Sequence, residues 1–249
     1  MLKHCSLLII LLLNLTSCDV LDKAASNAAN HLMNEGSSDA KSSLTNAEVI
    51  SGLREALYIG IQNAISIVSV TDGFLSNNDI RLPFPSDARK VKEKALDLGL
   101  GNQVQKFEIT LNRAAEEACK EALPIFKDVI KEMTLNDGFK ILNGGSGAAT
   151  KYLKEQTNDR LINAFTPKVK FAISKVKLTD YWNPLINKYN TAMMLTGGEK
   201  INPDLDVFVT RKAVEGLFLM VEAEENKIRI DPLARVTDLL NKVFGSLTN

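Results

Sequence analysis

The sequence predicts an all-α protein, and three observations support that prediction. Apolar residues recur at the spacing of one helix face through most of the chain beyond residue 44. Residues typical of helix N-caps, and the prolines and glycines that flank helices, stand between these segments. Strand-like alternation is confined to the segment 80–85, and its prolines, Pro83 and Pro85, exclude a place inside a sheet.

The first predicted helix begins at a capping box. Thr45 and Glu48 have the spacing in which the threonine side chain accepts from the backbone and the glutamate reaches back. Apolar residues then continue at helical spacing to Val68. The segment 80–85 is expected to lie extended over the helices, and the next helix is expected within 85–99.

The strongest helical signal runs over residues 104–133. Pro124 lies inside this stripe without shifting its register, so we predict either a kinked helix or two nearly coaxial helices. The apolar residues of the stripe are Val104, Phe107, Leu111, Ala114, Ala118, Ala122, Ile125, Val129 and Met133.

Further helices are predicted over 148–165, 167–176, 180–190, 205–228 and 232–244. The helix 205–228 is expected at the centre of the core, because a helix that is apolar nearly all round must be buried. Its apolar residues are Val207, Val214, Leu217, Phe218 and Val221.

The N-terminus has the three parts of a bacterial export signal. Residues 1–4 form a short, positively charged region, and residues 7–13 form an apolar run. Leu15-Thr16-Ser17-Cys18 follows. The apolar run is too short to span a bilayer. The last four residues resemble the lipobox of bacterial lipoproteins, in which an aliphatic residue and two small residues precede an invariant cysteine. This resemblance implies that the Cys18 sulfur takes a diacylglyceryl group before the signal is cleaved on its amino side.

The sequence therefore predicts three regions. Residues 1–17 are a cleaved lipoprotein signal peptide, 18–43 are a flexible tether rich in small and polar residues, and 44–249 are a single all-helical domain. The exported protein is expected on the periplasmic side of a bacterial membrane, inner or outer, bound to membrane lipid through acylated Cys18. Cys119 is then the remaining thiol, and we expect it to be a small buried apolar residue.

Charge and histidine content exclude several functions. The chain has 30 basic and 30 acidic residues, so nucleic-acid binding has no electrostatic basis. His4 and His31 both lie before the helical domain. The domain therefore lacks the imidazole of a Ser-His-Asp triad, a histidine-ligated zinc site or a carboxylate-bridged di-iron site. We predict neither a metal nor another cofactor.

One candidate binding site is the glycine-rich segment 143–147. Backbone amides of Gly145, Ser146 and Gly147, at the start of a helix, could hold a phosphate or carboxylate. The segment lacks the Gly-Lys-Ser/Thr ending of a nucleotide P-loop, and no predicted strand precedes it. The alternative is a simple connection, in which a glycine ends one helix and Ser146 caps the next.

Acidic residues near the end of the helix 205–228 allow two interpretations. A buried carboxylate there could act as a general acid or base. Alternatively, the acids form i,i+4 ion pairs, as Glu225 with Arg229 and Asp231 with Arg235 would. The acidic residues of this helix end are Glu222, Glu224 and Glu225.

Two other features also allow two interpretations each. The lysine-rich segment 167–177 could rest on anionic head groups, or it could be an ordinary solvated face, since its lysines span both sides of a helix. Trp182 could line a ligand site or anchor one helix against another.

Four segments resemble one known family. They are LNRAAEEA at 111–118, GSGAATKYL at 145–153, YWNPLINKYN at 181–190 and the C-terminal stretch 202–245. Together they resemble the bacterial domain of unknown function 4197, common in exported and lipid-anchored proteins, over residues 44–245. The resemblance implies an all-helical envelope domain without an established activity, and it transfers no functional residue.

The function predicted from the sequence is a non-enzymatic one. We predict a lipid-anchored helical module that binds a partner protein or an apolar ligand at the cell envelope. The alternative is an enzyme that works without histidine and uses Lys, Glu or Tyr in a pocket near the loop 144–147. Convergent polar groups with shifted pKa values would favour the enzyme, whereas an apolar groove or patch would favour binding.

Overall fold

The computed structural model describes residues 45–97, 99–175, 178–202 and 204–245, which belong to one structural unit. Within these residues the regular secondary structure is helical and contains no strand, which confirms the all-α prediction. The predicted signal peptide and tether, with Cys18, lie outside the described residues.

The α-helices follow one another with short connections, apart from the long segment between the first two. In chain order they are α1 (Asn46–Val68), α2 (Arg89–Asp97), α3 (Gly101–Cys119), α4 (Ala122–Glu132), α5 (Leu135–Asn143), α6 (Ala148–Lys175), α7 (Leu178–Thr196), α8 (Leu205–Ile230) and α9 (Asp238–Gly245). Single 3₁₀ turns lie at Ser86–Ala88 and Pro232–Ala234.

Helix α8 is central, as predicted for the helix 205–228. It packs against α1, α3 and α6, and most of its apolar residues are buried. Among the five apolar residues predicted for the core, Val207 is the exception, because it lies near the start of α8 and is 38% exposed. The expectation that Val207 belongs to the core was therefore wrong.

Helix α1 begins at the predicted capping box. The Thr45 hydroxyl accepts from the Glu48 amide at 3.2 Å, and the Thr45 amide donates to the Glu48 carboxylate at 2.8 Å. These bonds satisfy backbone donors that would otherwise be unpaired at the helix start. The carboxylate is favoured in its charged form, so the pKa of Glu48 lies below its usual value.

Helix α6 corrects one prediction. The sequence suggested two helices separated at Thr166 and Pro167, but α6 runs without a break from 148 to 175 with Pro167 inside it. The Thr166 hydroxyl donates to the Ile162 carbonyl at 2.7 Å instead of capping a helix start. Packing overrides the proline, because every fourth residue of α6 is fully buried through this region: Leu153, Thr157, Leu161, Phe165, Val169 and Ile173.

The stripe 104–133 forms two helices, α3 and α4, which was one of the two predicted forms. The break falls at Lys120 and Glu121 rather than at Pro124. Pro124 lies in the first turn of α4, where a backbone N–H has no partner within the helix.

Two further elements differ from prediction. The prediction omitted α5, although Thr134 and Asp137 form a second capping box at its start. The predicted helix 232–244 is instead a 3₁₀ turn followed by α9.

Candidate functional site

The start of α6 is the junction at which the sequence placed an anion site. Gly145 and Gly147 have φ values of 76° and 73°, which favour glycine, and they carry the chain from α5 into α6. The Ser146 hydroxyl donates to Asn226 Oδ1 on α8 at 2.6 Å, so this side chain bonds across to a neighbouring helix. As ligand contacts, Gly145, Ser146 and Gly147 stay a prediction.

The amides that follow this loop are bound by a carboxylate of the chain itself. The amides of Ala149 and Thr150 donate to Glu225 Oε1 and Oε2 at 3.0 and 2.8 Å. The Thr150 hydroxyl donates to Glu225 Oε2 at 2.8 Å. Glu225 lies on α8 and is buried, so a residue 75 positions away caps the first turn of α6.

Arg229 extends this network to a second helix end. Its Nε donates to Glu225 Oε1 at 3.0 Å, which confirms the predicted Glu225–Arg229 pair. Its Nη2 donates to the carbonyl of Ile141 at 2.8 Å, in the last turn of α5. The Glu225 carboxylate therefore faces the N-terminus of α6, and the Arg229 guanidinium faces the C-terminus of α5. Both charges interact favourably with the helix dipoles.

The second predicted ion pair was wrong. Arg235 does not pair with Asp231, because its Nε and Nη2 donate to the carbonyls of Ile228 and Arg229 at 3.1 and 2.8 Å. Asp231 Oδ1 instead accepts from the Leu233 amide at 2.9 Å and caps the 3₁₀ turn. The buried Arg235 thus binds the last turn of α8.

A small cavity adjoins Glu225. It has a volume of about 20 Å³ and lies between α1 and α8. That is room for about one water molecule, well below the size of a ligand pocket. Its lining is mainly apolar, with Glu225 and Arg229 at its polar side.

A second buried polar cluster holds the segment between α1 and α2. Asn112 Oδ1 accepts from the Leu82 amide at 2.9 Å, and its Nδ2 donates to the Leu82 carbonyl at 2.8 Å. Glu116 Oε1 accepts from the Phe74 amide at 3.1 Å. These contacts hold the segment against α3. The run 80–85 contains no strand or helix, and it begins in a turn, in which the Ile80 amide donates to the Asn77 carbonyl at 3.3 Å. Asn112 and Glu116 were not predicted from the sequence. Their local signal is that two polar residues lie one helical turn apart beside an apolar stripe.

The remaining carboxylates of the acidic helix end have separate surroundings. Glu224 accepts from Asn63 Nδ2 on α1 at 2.9 Å and faces Lys227 at 3.6 Å. Glu222 is half-buried, and a Cβ at Gly147 would lie 3.1 Å from its Oε1. The cluster Glu222, Glu224 and Glu225 does not converge on one pocket.

Lysines of the segment 167–177 support the solvated-face interpretation where they are described. Lys168 pairs with Glu121 at 2.9 Å, and Lys170 lies 3.9 Å from Asp206. Lys177 lies outside the described residues. A face whose charges are partly neutralised has little attraction for anionic head groups.

Trp182 and Cys119 are both buried in the core. The Trp182 ring lies 5.8 Å from that of Phe84 and 5.2 Å from that of Phe107, which confirms its role as an interhelical anchor. Cys119 is fully buried, and burial raises the pKa of its thiol far above the usual range. A thiol in this state is a packing group rather than a nucleophile.

Tyr152 is the tyrosine closest in sequence to the loop 144–147 whose side chain is described. Burial raises the pKa of its hydroxyl, and the charges of Asp137 and Glu132 raise it further. A tyrosine that acts as a base needs the opposite shift, so these surroundings disfavour that role.

A larger cleft lies between the start of α2 and the end of α7. Its volume is about 820 Å³, within the range of ligand pockets. Its charges are of both signs, Arg89, Lys90 and Lys200 against Asp87 and Glu199. Arg89 faces Glu93 at 3.6 Å on the exposed side of α2. The cleft therefore has no concentration of one charge.

The described residues contain neither a metal-ligand cluster nor a membrane-spanning helix. In the ranges 45–97, 99–175, 178–202 and 204–245, no group of three His, Cys, Asp or Glu side chains is placed to hold a metal ion. Among the described helices, none combines the length and the apolar character needed to cross a membrane.

Comparison with known proteins identifies a family and nothing more specific. No curated protein and no solved structure matches the chain. The model of a family described as "Protein of unknown function (DUF4197)" matches residues 43–245, which are most of the 249-residue chain and include every described helix. The chain therefore belongs to the DUF4197 family of proteins of unknown function.

Proposed function

We propose that this protein is a lipid-anchored protein of the bacterial envelope, whose helical domain is a non-enzymatic binding module. The proposal of a non-enzymatic role rests on the hydrogen bonds that the buried polar side chains make. Glu116 and Glu225 each accept from two backbone amides and pair with an arginine, and Asn112 binds one backbone residue through both its amide atoms. Side chains bound in this way hold helices and loops together, so their polar atoms are engaged by the protein itself.

The enzyme alternative needs reactive groups that converge on a pocket. Two carboxyls with lowered pKa values, Glu48 and Asp137, instead cap the starts of two different helices. Partial burial and the neighbouring Asp204 raise the pKa of Asp206, but this carboxyl lies in the first turn of α8 next to Lys170, away from the loop 144–147 in the chain. The cavity beside Glu225 is too small for a substrate, and the pKa of Tyr152 is shifted in the unfavourable direction. These observations favour binding over catalysis.

Lipid anchoring is tested by labelling cells with an alkyne fatty acid. We expect the wild-type protein to carry the label and the Cys18→Ala variant to lose it. Cys5→Ala and Cys119→Ala are matched controls, because they remove the other two cysteines and should keep the label. Label retained in Cys18→Ala, or absent from the wild-type protein, would refute the anchoring.

The non-enzymatic role is tested by complementation of a deletion strain that has a measurable phenotype. We expect Lys151→Ala, Tyr152→Phe and Glu222→Gln to complement like the wild-type protein, because these side chains near the loop 144–147 would carry the alternative chemistry. A variant that folds normally and fails to complement would favour the enzyme.

A further inference from the structure

Three aliphatic side chains are exposed where the chain leaves α8. Ile230, Leu233 and Val236 are 78%, 90% and 67% exposed. Single exposed aliphatic residues are common on soluble proteins, but three within the short stretch 230–236 are not explained by folding. Leu233 and Val236 also line a surface groove of about 310 Å³ next to Asn63 and Lys227. We call Ile230, Leu233 and Val236 the aliphatic turn.

The aliphatic turn rests on a fixed support. Arg235, next to Val236 in the chain, is buried and donates to the carbonyls of Ile228 and Arg229. Asn241 Nδ2 in turn donates to the Arg235 carbonyl at 3.0 Å. The backbone at Leu233 is held by Asp231, whose Oδ1 accepts from the Leu233 amide. A surface that is ordered before binding loses little conformational entropy when a partner docks.

The charges around the aliphatic turn are mainly negative. Asp231 and Asp238 flank it in the chain, and Glu55 lies beside it, since Glu55 Oε2 is 3.4 Å from Thr237 Oγ1. Of the cations in this region, Lys227 faces Glu224 at 3.6 Å, and the buried Arg235 donates to the carbonyls of Ile228 and Arg229. The C-terminal end of α8 adds partial negative charge at the same place.

These features select one kind of occupant. An anionic membrane surface attracts basic segments, so an acidic rim disfavours it. A small apolar ligand needs a mainly apolar pocket, whereas Asn63, Glu224, Lys227 and Asp231 also line the groove beside Leu233 and Val236. We propose that the aliphatic turn docks a partner protein that offers an apolar pocket rimmed by Lys or Arg side chains. This inference rests on the proposed function, since it names the binding surface of that module.

The test places a photo-crosslinking amino acid at Leu233 of the full chain in native membranes. The matched control carries the same group at Leu195, which is 81% exposed at the end of α7. We expect Leu233 to yield a discrete adduct with another protein, and Leu195 to yield none. The crosslinked peptide should contain aliphatic residues with Lys or Arg beside them, and the adduct should weaken as salt is raised.

A second substitution tests the apolar contact. With the crosslinker at Leu233, Val236→Lys should reduce the adduct about tenfold or more, because the proposed Lys and Arg rim of the partner repels the added cation and the apolar pocket does not solvate it. Val236 is mostly exposed, so the unfolding midpoint of this variant should stay unchanged. Equal adducts from Leu233 and Leu195, adducts only to lipid or to the chain itself, no adduct, or no effect of Val236→Lys would each overturn the proposal. Fatty-acid labelling of Cys18 is scored separately, so a labelled protein without an adduct refutes only the docking surface.

Discussion

Replacing Glu225 should destabilise the domain more than replacing any exposed acidic residue of α8. In Glu225→Ala the amides of Ala149 and Thr150 lose their acceptor, and Arg229 loses its partner in a buried site. Each unpaired buried amide costs about 1–3 kcal/mol, and breaking a buried ion pair costs about 3–5 kcal/mol. These effects overlap, so we expect a total loss of about 4 kcal/mol, a large part of the 5–15 kcal/mol typical of a domain.

Urea denaturation followed by circular dichroism measures this loss. Glu215→Ala is the matched control, because Glu215 lies on the same helix and makes only an exposed pair with Lys212. We expect this control to change the free energy of unfolding by less than about 0.5 kcal/mol. If Glu225→Ala and Glu215→Ala had the same midpoint, our assignment of Glu225 as the cap of α6 would be refuted.

A double variant separates capping from ion pairing. Buried ion pairs can often be replaced by apolar residues without loss of stability, so Glu225→Leu with Arg229→Leu would recover if the pair were the main contribution. We expect no recovery, because the amides at the start of α6 and the carbonyls at the end of α5 would both remain unpaired.

Three further predictions follow from the packing and the caps. Phe218→Ala should lower the free energy of unfolding by about 3–5 kcal/mol, because Phe218 is buried against Phe126, and a loss below about 1 kcal/mol would contradict its place in the core. Pro167→Ala should raise the free energy of unfolding by about 1–3 kcal/mol, because it restores a hydrogen bond inside α6, whereas Pro124→Ala should change it by less than about 1 kcal/mol. Equal effects would contradict the placement of Pro167 inside a helix and of Pro124 in a first turn. Hydrogen bonds from Thr45 and Thr134 lower the folded-state pKa values of Glu48 and Asp137. The two carboxylates therefore stabilise the fold above their unfolded-state pKa values of about 4. This stabilisation is lost as pH falls through their folded-state pKa values. The double variant Glu48→Gln/Asp137→Asn should therefore lose less stability than the wild-type protein between about pH 5 and pH 3, and an unchanged acid slope would contradict it.

Local signals predicted the parts of the fold that depend on local contacts. The capping box at Thr45 and the apolar stripe of α8 were both identified, because each is determined by residues within a few turns of helix. The same capping pattern at Thr134 was present in the sequence, so α5 could have been identified by the rule applied to α1.

Pro167 shows where local rules fail. A proline after a threonine is typical of a helix start, and only the burial of Phe165 and Val169 on the same face keeps α6 continuous. The free energy of that packing comes from residues far away in the chain. A single sequence does not contain this information in a form that spacing can reveal.

Glu225 illustrates the same limit for the candidate site. Its i,i+4 pairing with Arg229 was predictable, but its bonds to the start of α6 join residues 75 and 76 positions apart. A buried carboxylate beside a glycine-rich loop has the composition expected of a catalytic site, and only the hydrogen bonds identify it as a cap.

The residues that folding does not explain are therefore the better guide to function. The buried polar groups Asn112, Glu116 and Glu225 are accounted for by the helix ends and loops they bind. The aliphatic turn has no such account, because its side chains contribute little to the core while Arg235 holds the backbone next to them in place. Exposing aliphatic side chains on a fixed support disfavours solubility and adds nothing to burial, which is the reason for proposing a partner that covers them. We therefore place the search for a partner at the end of α8 rather than at the glycine-rich loop.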